Sequence, residues 1–209
     1  MALLLADQRQ PAIVALVCSA GGLEALTQVL GRLAPSTPAA VIVLQHQVPQ
    51  QRSRLSEILA RRCALPVRTA RNGVALEPGH VVVVPPGRHA LVTAHDRLAL
   101  ISTDGSPPYR PSADLLLTSL ALVAPARSIG VILSGAGHDG ATGATALHDF
   151  GGIVIAADEK SSAHFAMPKA AIERDEIVDY IVPVDKIADL LSSLVVPGGV
   201  SESIESEPA

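Results

Sequence analysis

Residues Ala12-Ile13-Val14-Ala15-Leu16-Val17 form an unbroken apolar run that ends at the turn Gly21-Gly22. Leu23, Leu26, Val29, Leu30 and Leu33 follow at helical spacing. A strand that is apolar at every position must be covered on both faces. A parallel sheet sandwiched between helices provides that cover; a half-solvated antiparallel sheet does not. The unit recurs. Ala39 to Leu44 predicts a strand, and Gln51 to Arg62 a helix with Leu55, Ile58 and Leu59 on one face. Ile129 to Leu133 predicts a strand ending in a glycine-rich turn, followed by a helix from Gly140 to His148 and a strand from Ile153 to Ala157. A last strand near Tyr180 to Val182 feeds a helix from Asp185 to Leu194.

The middle of the chain has a different rhythm. Val81 to Val84 predicts a strand stopped by Pro85-Pro86-Gly87. Ala90-Leu91-Val92 and Leu98-Ala99-Leu100-Ile101 flank the polar Ala94-His95-Asp96-Arg97, the pattern of a β-hairpin. A loop over Asp104-Gly105-Ser106-Pro107-Pro108 leads to Ser112, which is placed to cap a helix from Ala113 to Val123, with Asp114 in its first turn. The expected fold is therefore α/β: three layers, doubly wound, with a mostly parallel sheet and an inserted antiparallel β-hairpin. Residues 1–10 read as an N-terminal extension, 11–196 as the domain, and 197–209, with Glu202, Glu205 and Glu207 among Ser, Gly and Pro, as a disordered acidic tail.

Composition narrows the functional classes. Aromatic residues make up 2% of the chain and Trp is absent, which leaves little to stack on nucleic-acid bases. The net charge of −4 opposes binding to a phosphate backbone. Two cysteines, Cys18 and Cys63, build neither a disulfide framework nor a zinc site, and Cys18 on an apolar strand reads as an inert thiol. No apolar stretch is long enough to span a membrane, and Met1 to Asp7 lacks the basic start of a signal peptide. A cytoplasmic protein is expected. His80, His89, His95, His148 and His164 show no metal-ligand spacing with carboxylates, so no metal is expected; no organic cofactor is expected either.

In an open α/β sheet, ligands bind beyond the carboxyl ends of the strands. Three such ends carry reactive groups: Ser19 after the first strand, His46 after the second, and Asp139 in the loop Ser134-Gly135-Ala136-Gly137-His138-Asp139-Gly140 after a late strand. A serine on a sharp strand-to-helix turn, a histidine to take its proton and a carboxylate to orient the histidine are the parts of a nucleophilic hydrolase. Each also has a plain structural reading. Ser19 could cap the following helix, His46 could be an ordinary loop residue, and Asp139 could cap the helix after Gly140. The glycine spacing is neither the G-x-S-x-G elbow nor the G-x-G-x-x-G phosphate loop.

At these residues the sequence resembles the catalytic domain of the CheB family of bacterial chemotaxis, the receptor protein-glutamate methylesterases. The likeness runs from about Pro11 to Leu194, through Ser19-Ala20-Gly21-Gly22-Leu23-Glu24-Ala25, Gln45-His46, Leu76-Glu77-Pro78-Gly79-His80 and Pro85-Pro86-Gly87. It continues through Arg110-Pro111-Ser112-Ala113-Asp114, Gly135-Ala136-Gly137-His138-Asp139-Gly140, and Ser161-Ser162-Ala163 with Met167-Pro168. Six or more blocks in order are far more specific than any one of them.

The resemblance implies Ser19 as nucleophile, His46 as general base and Asp139 as the acid that orients it. Backbone N–H groups near Ala136 and Gly137 would form an oxyanion hole, with Ala20 beside the nucleophile and Arg110 against the target. The implied substrate is a glutamate γ-methyl ester on a methyl-accepting chemotaxis receptor, with glutamine deamidation as a related activity. Departures from the family pattern are Ala20 where Thr is frequent, Ala136 where Met is frequent and His138 where Asn is frequent; His138 could compete for the Asp139 carboxylate. Two other readings stay open: a non-catalytic binding module on the same fold, and a serine hydrolase acting on another ester or amide. Because the likeness starts near residue 11, the expectation is a catalytic unit without a receiver domain, not controlled by phosphorylation in cis.

Overall fold

The computed structural model of the chain describes residues 10–49, 51–102 and 111–195. The expected acidic tail, the N-terminal extension apart from Gln10, the Asp104–Pro108 loop and Arg110 lie outside these residues.

The apolar runs become the strands of a seven-stranded sheet. These are β1 (Ala12–Cys18), β2 (Ala39–Gln45), β3 (Val67–Thr69), β5 (Val81–Val83), β8 (Ser128–Ile132), β9 (Ile153–Ala157) and β10 (Tyr180–Val182). Their spatial order is β10-β9-β8-β1-β2-β5-β3, and every pair is parallel. Alternation along each strand separates two cores. Ile13, Ala15 and Val17 of β1, with Ala40, Ile42 and Leu44 of β2, face one core. Val14, Leu16 and Cys18, with Ala39, Val41 and Val43, face the other.

Helices α3 (Ala113–Val123), α4 (Ala141–Asp149) and α5 (Ala166–Ile172) close the first core. Helices α1 (Gly22–Arg32), α2 (Leu55–Ala60) and α6 (Val184–Leu194) close the second. The polar interruption in the middle of the chain is a small antiparallel sheet. Strand β6 (His89–Thr93) pairs with β7 (Arg97–Ile101), and β7 pairs with β4 (Val74–Ala75). Ala90, Val92 and Leu98 of this sheet pack into the first core.

The three-layer α/β architecture and the inserted hairpin are as expected, with three differences. The hairpin is the larger part of a three-stranded sheet. Helix α2 starts at Leu55, not at Gln51, because the Ser53 hydroxyl accepts the Leu55 N–H and holds the preceding residues in a turn. Only Leu55 and Leu59 of its apolar face are buried; Ile58 is exposed. Finally, β3, β4 and α5 were not anticipated: the strands are too short to show a period.

Among the described residues, no helix is long and apolar enough to cross a membrane.

Candidate active site

Strand β1 is the place where the sheet order reverses, with β2 on one side and β8 on the other. Loops leaving neighbouring strands in opposite directions open a crevice there. Ser19, His46 and Asp139 all leave from these three strands.

Ser19 and His46 are brought together by register. Cys18 pairs with Gln45 at the ends of β1 and β2, and the His46 N–H donates to the Cys18 carbonyl at 3.0 Å. The next residue on each strand therefore leaves the sheet side by side. Both line one cleft of about 740 Å³, together with Ala20, Gly21, Glu24, Gln45 and Arg62. Ser19 does not cap α1. That position belongs to Gly21, whose φ of 72° is left-handed, and no side chain caps the helix there. The Ser19 backbone is fixed from behind: its N–H donates to the Ser134 carbonyl at 2.9 Å.

Asp139 and His46 meet directly. The imidazole Nε2 lies 2.7 Å from Asp139 Oδ2, with only 11% and 3% of the two side chains exposed. His46 thus sits directly on this carboxylate. The expectation that Asp139 might cap the helix after Gly140 is corrected. It turns away from α4 and caps α3, 25 residues earlier in the chain. Its Oδ2 accepts the Ala113 N–H at 2.6 Å, and its Oδ1 accepts the Asp114 N–H and the Ser112 hydroxyl, each at 3.1 Å. The Ser112 hydroxyl in turn accepts the Leu115 N–H, as the expected cap of α3.

Burial alone would raise the pKa of Asp139. The hydrogen bond from His46, those from the N–H groups of Ala113 and Asp114, and the imidazole charge outweigh it, and the carboxyl sits below its ordinary value. It is a fixed anion at the positive end of α3. Because an ionised carboxylate only accepts, Nε2 is the donor in this bond, and in the neutral ring the lone pair then falls on Nδ1.

The loop after β8 approaches Ser19 closely. A Cβ on Gly135 would fall 2.1 Å from the Met167 sulfur and 3.0 Å from Ser19 Cβ, so only glycine fits. The Gly135 N–H donates to the His164 carbonyl, and the Met167 N–H donates to the Gly135 carbonyl. Ser134, buried, donates to the Ala20 carbonyl at 2.8 Å and accepts the His164 N–H at 2.9 Å. Ala136 is exposed and Gly137, at φ 95°, is half-buried. Sequence reasoning assigned no role to Ser134 or His164. The block Ser161–Met167 was the signal that this segment belongs to the site.

The other candidates sit away from this centre or are inert. Cys18 is fully buried, and burial pushes its thiol far above the ordinary range, as an inert core residue requires. His89, also fully buried, accepts the Ser112 N–H at its Nδ1, and so supports the start of α3 from below. Among the described residues, no group of three or more His, Cys, Asp or Glu is placed to hold a metal ion.

Comparison with known proteins identifies the family. The CheB methylesterase family profile matches residues 14–191. A protein-glutamate methylesterase/protein-glutamine glutaminase of Symbiobacterium thermophilum is 37% identical over 195 residues, which cover 92% of this chain and 53% of that protein. A namesake from Burkholderia thailandensis is 38% identical over 185 residues, covering 88% of this chain and 54% of that one. The chain thus spans about half the length of the curated relatives it matches. The crystal structure of the Thermotoga maritima CheB methylesterase catalytic domain superposes with a TM-score of 0.84 at 33% identity, covering 88% of this chain and 99% of that one. A profile match over most of the chain, relatives at this identity and a shared fold lead to one conclusion: this chain belongs to the CheB methylesterase family.

Proposed function

We propose that this chain is a serine esterase that hydrolyses glutamate γ-methyl esters on a methylated chemoreceptor-type protein in the cytoplasm, with glutamine deamidation as a second activity of the same site. The observation that carries this reading is the 2.7 Å bond between His46 and a buried, anionic Asp139, formed beside Ser19 at the reversal point of the sheet. The names of the relatives supply the substrate class.

In this reading Ser19 Oγ attacks the ester carbonyl carbon as His46 Nδ1 takes its proton. Asp139 holds the ring and stabilises the imidazolium. Negative charge develops on the carbonyl oxygen, and this reading assigns its stabilisation to backbone N–H groups of the loop at Ala136 and Gly137. The tetrahedral species collapses, the C–O bond to the methoxy group breaks, and His46 returns the proton to release methanol. A water molecule, deprotonated by His46, then cleaves the acyl-serine to free glutamate and restores Ser19. Deamidation runs through the same acyl-enzyme with ammonia as the leaving group.

The substitutions Ala20 and Ala136 remove side chains and leave the backbone donors in place, so they leave the reaction class unchanged. The test is methanol release from a receptor fragment carrying methyl-esterified glutamates. Ser19→Ala is expected to lower the rate at least about 1,000-fold, in line with loss of a nucleophile in a triad. A Ser19→Ala protein that releases methanol at the wild-type rate would overturn the assignment. A wild type that hydrolyses other esters but not this one would support the broader serine-hydrolase reading.

A further inference from the structure

The start of α3 and the start of α4 exchange their caps. Asp139, just before α4, accepts hydrogen bonds from Ala113 and Asp114 at the start of α3. Asp114, in the first turn of α3, reaches the other way: its Oδ1 accepts the Gly140 N–H at 2.9 Å and the Gly143 N–H at 2.8 Å. The α4 N-cap, Gly140, sits at φ 102° and has no side chain with which to cap its own helix. The N–H groups at the start of a helix need acceptors. For Gly140 and Gly143 the acceptor is supplied from another element.

The two helices also touch at this point. A Cβ on Gly143 would lie 2.8 Å from the Asp114 carbonyl oxygen and 2.7 Å from Leu117 Cβ, so α4 starts directly against the α3 backbone. Asp139 is therefore tied at both ends. Its side chain is fixed by α3, and the residue after it is fixed by Asp114.

We propose that Asp114 is a positioning residue for the Asp139–His46 pair: its carboxylate pins the start of α4, so that Asp139 leaves the loop at the angle that meets the imidazole. This inference rests on the serine-esterase reading above. Without the Asp114 acceptor, two N–H groups at the α4 start lose their partner, and the turn 139–140 is free to re-aim. Displacing a catalytic group by about 1 Å costs on the order of 100-fold in rate.

The experiment uses the whole chain and follows two rates: kcat and KM for methanol release from the methylated receptor fragment, and the second-order rate of Ser19 phosphonylation by a fluorophosphonate. Both are corrected for the folded fraction. Asp114→Ala is expected to lower kcat and the phosphonylation rate roughly 10- to 100-fold, with KM within about twofold. Asp114→Asn keeps Oδ1 as an acceptor for both N–H groups and is expected to restore most of the rate. Should Asp114→Ala not fold, Asp114→Glu takes its place. It carries the carboxylate one methylene further out, and a slowed, folded enzyme supports the proposal.

Wild-type rates in Asp114→Ala or Asp114→Glu would overturn the proposal, as would an Asp114→Asn rate as low as that of Asp114→Ala. Ser119→Ala provides the structural control. Ser119 accepts the Val92 N–H and donates to the Leu116 carbonyl, further along α3 and away from Asp139. It is expected to lower stability and leave kcat alone; an equal loss of kcat would reduce the Asp114 effect to general loosening of α3 and overturn the proposal. Ser19→Ala and Asp139→Ala, run in parallel, report on the esterase reading itself. If these two are fully active the esterase reading fails, whereas if they are dead and Asp114→Ala is fully active only the positioning role fails.

Discussion

Gly135 is the residue at which the site has least room. A methyl group there meets the sulfur of Met167, which is buried, and the Cβ of Ser19 itself. The Met167 side chain can swing away only into a filled core, and overpacking of that kind costs typically 1–3 kcal/mol. Gly135→Ala is therefore expected to lower the urea midpoint and, because the added methyl also crowds Ser19, the proposed nucleophile, to lower kcat as well. A variant with an unchanged midpoint and rate would show that the loop has slack. Cys18 offers the contrasting case, a reactive residue type made inert by its position. Its thiol is fully buried and raised in pKa by desolvation, whereas the half-buried Cys63 is raised by the same cause, with a backbone hydrogen bond from Leu65 acting in the opposite direction. Iodoacetamide at pH 8 is expected to label Cys18 only after unfolding and to leave the proposed esterase activity intact. Labelling of Cys18 in the native protein at the rate of a free thiol would contradict its placement in the core.

At the scale of elements, the exchanged caps make acid stability depend on two neighbouring carboxyls with opposite signs. Asp139 has a lowered pKa in the fold, so its contribution is present above the unfolded value of about 3.9 and is lost as the pH falls through the folded value. Asp114 is raised, chiefly by burial and in part by the Asp139 charge, against hydrogen bonds from Gly143 and Gly140 that lower it. Its ionisation costs the fold, so its contribution is fullest below the unfolded value and fades as the pH rises through the folded one. Urea midpoints from pH 7 down to pH 3 are expected to separate them. The deficit of Asp139→Asn against wild type shrinks on acidification, whereas Asp114→Asn loses ground against wild type as the pH drops. Parallel curves for both variants would mean that neither carboxyl titrates differently in the fold.

These caps also mark where the sequence stops being legible. Continuous apolar runs announce β1, β2 and β9, because both faces of the central strands are covered, and Ser112 announces the start of α3 to the residue. Ser19, His46 and Asp139 are visible as strand-end residues. By contrast, Asp139 looks like the cap of the helix beside it, because its true partner is supplied by packing and not by spacing. Strands β3 and β4 span three and two residues, too few to alternate, and α5 carries Pro168 in its first turn and buries only Met167, Pro168 and Ala171, which leaves no long periodic face.

Over the whole molecule, the sheet divides the labour of the site between two cores. The core under α1, α2 and α6 backs the turn that carries Ser19. The core under α3, α4 and α5 backs the caps that hold Asp139. A buried leucine in either core stabilises the fold through lost water contact and filled volume, and Leu→Ala costs about 2–5 kcal/mol wherever it is made. The effect on catalysis should differ, because interiors transmit displacement only along what they touch. Leu117 lies one turn from Asp114 on α3, at the crossing with Gly143. Leu30 lies two turns beyond Gly22 on α1, about 12 Å along the helix from the start that follows Ser19. Leu117→Ala and Leu30→Ala are thus expected to lose similar stability. Measured at a temperature where both are folded, Leu117→Ala alone should lose kcat, and its loss should be smaller in an Asp114→Ala background, since both changes loosen the same crossing. Equal kcat in the two leucine variants would mean that the aim of Asp139 is set within its own loop and owes nothing to the packing of α3 on α4.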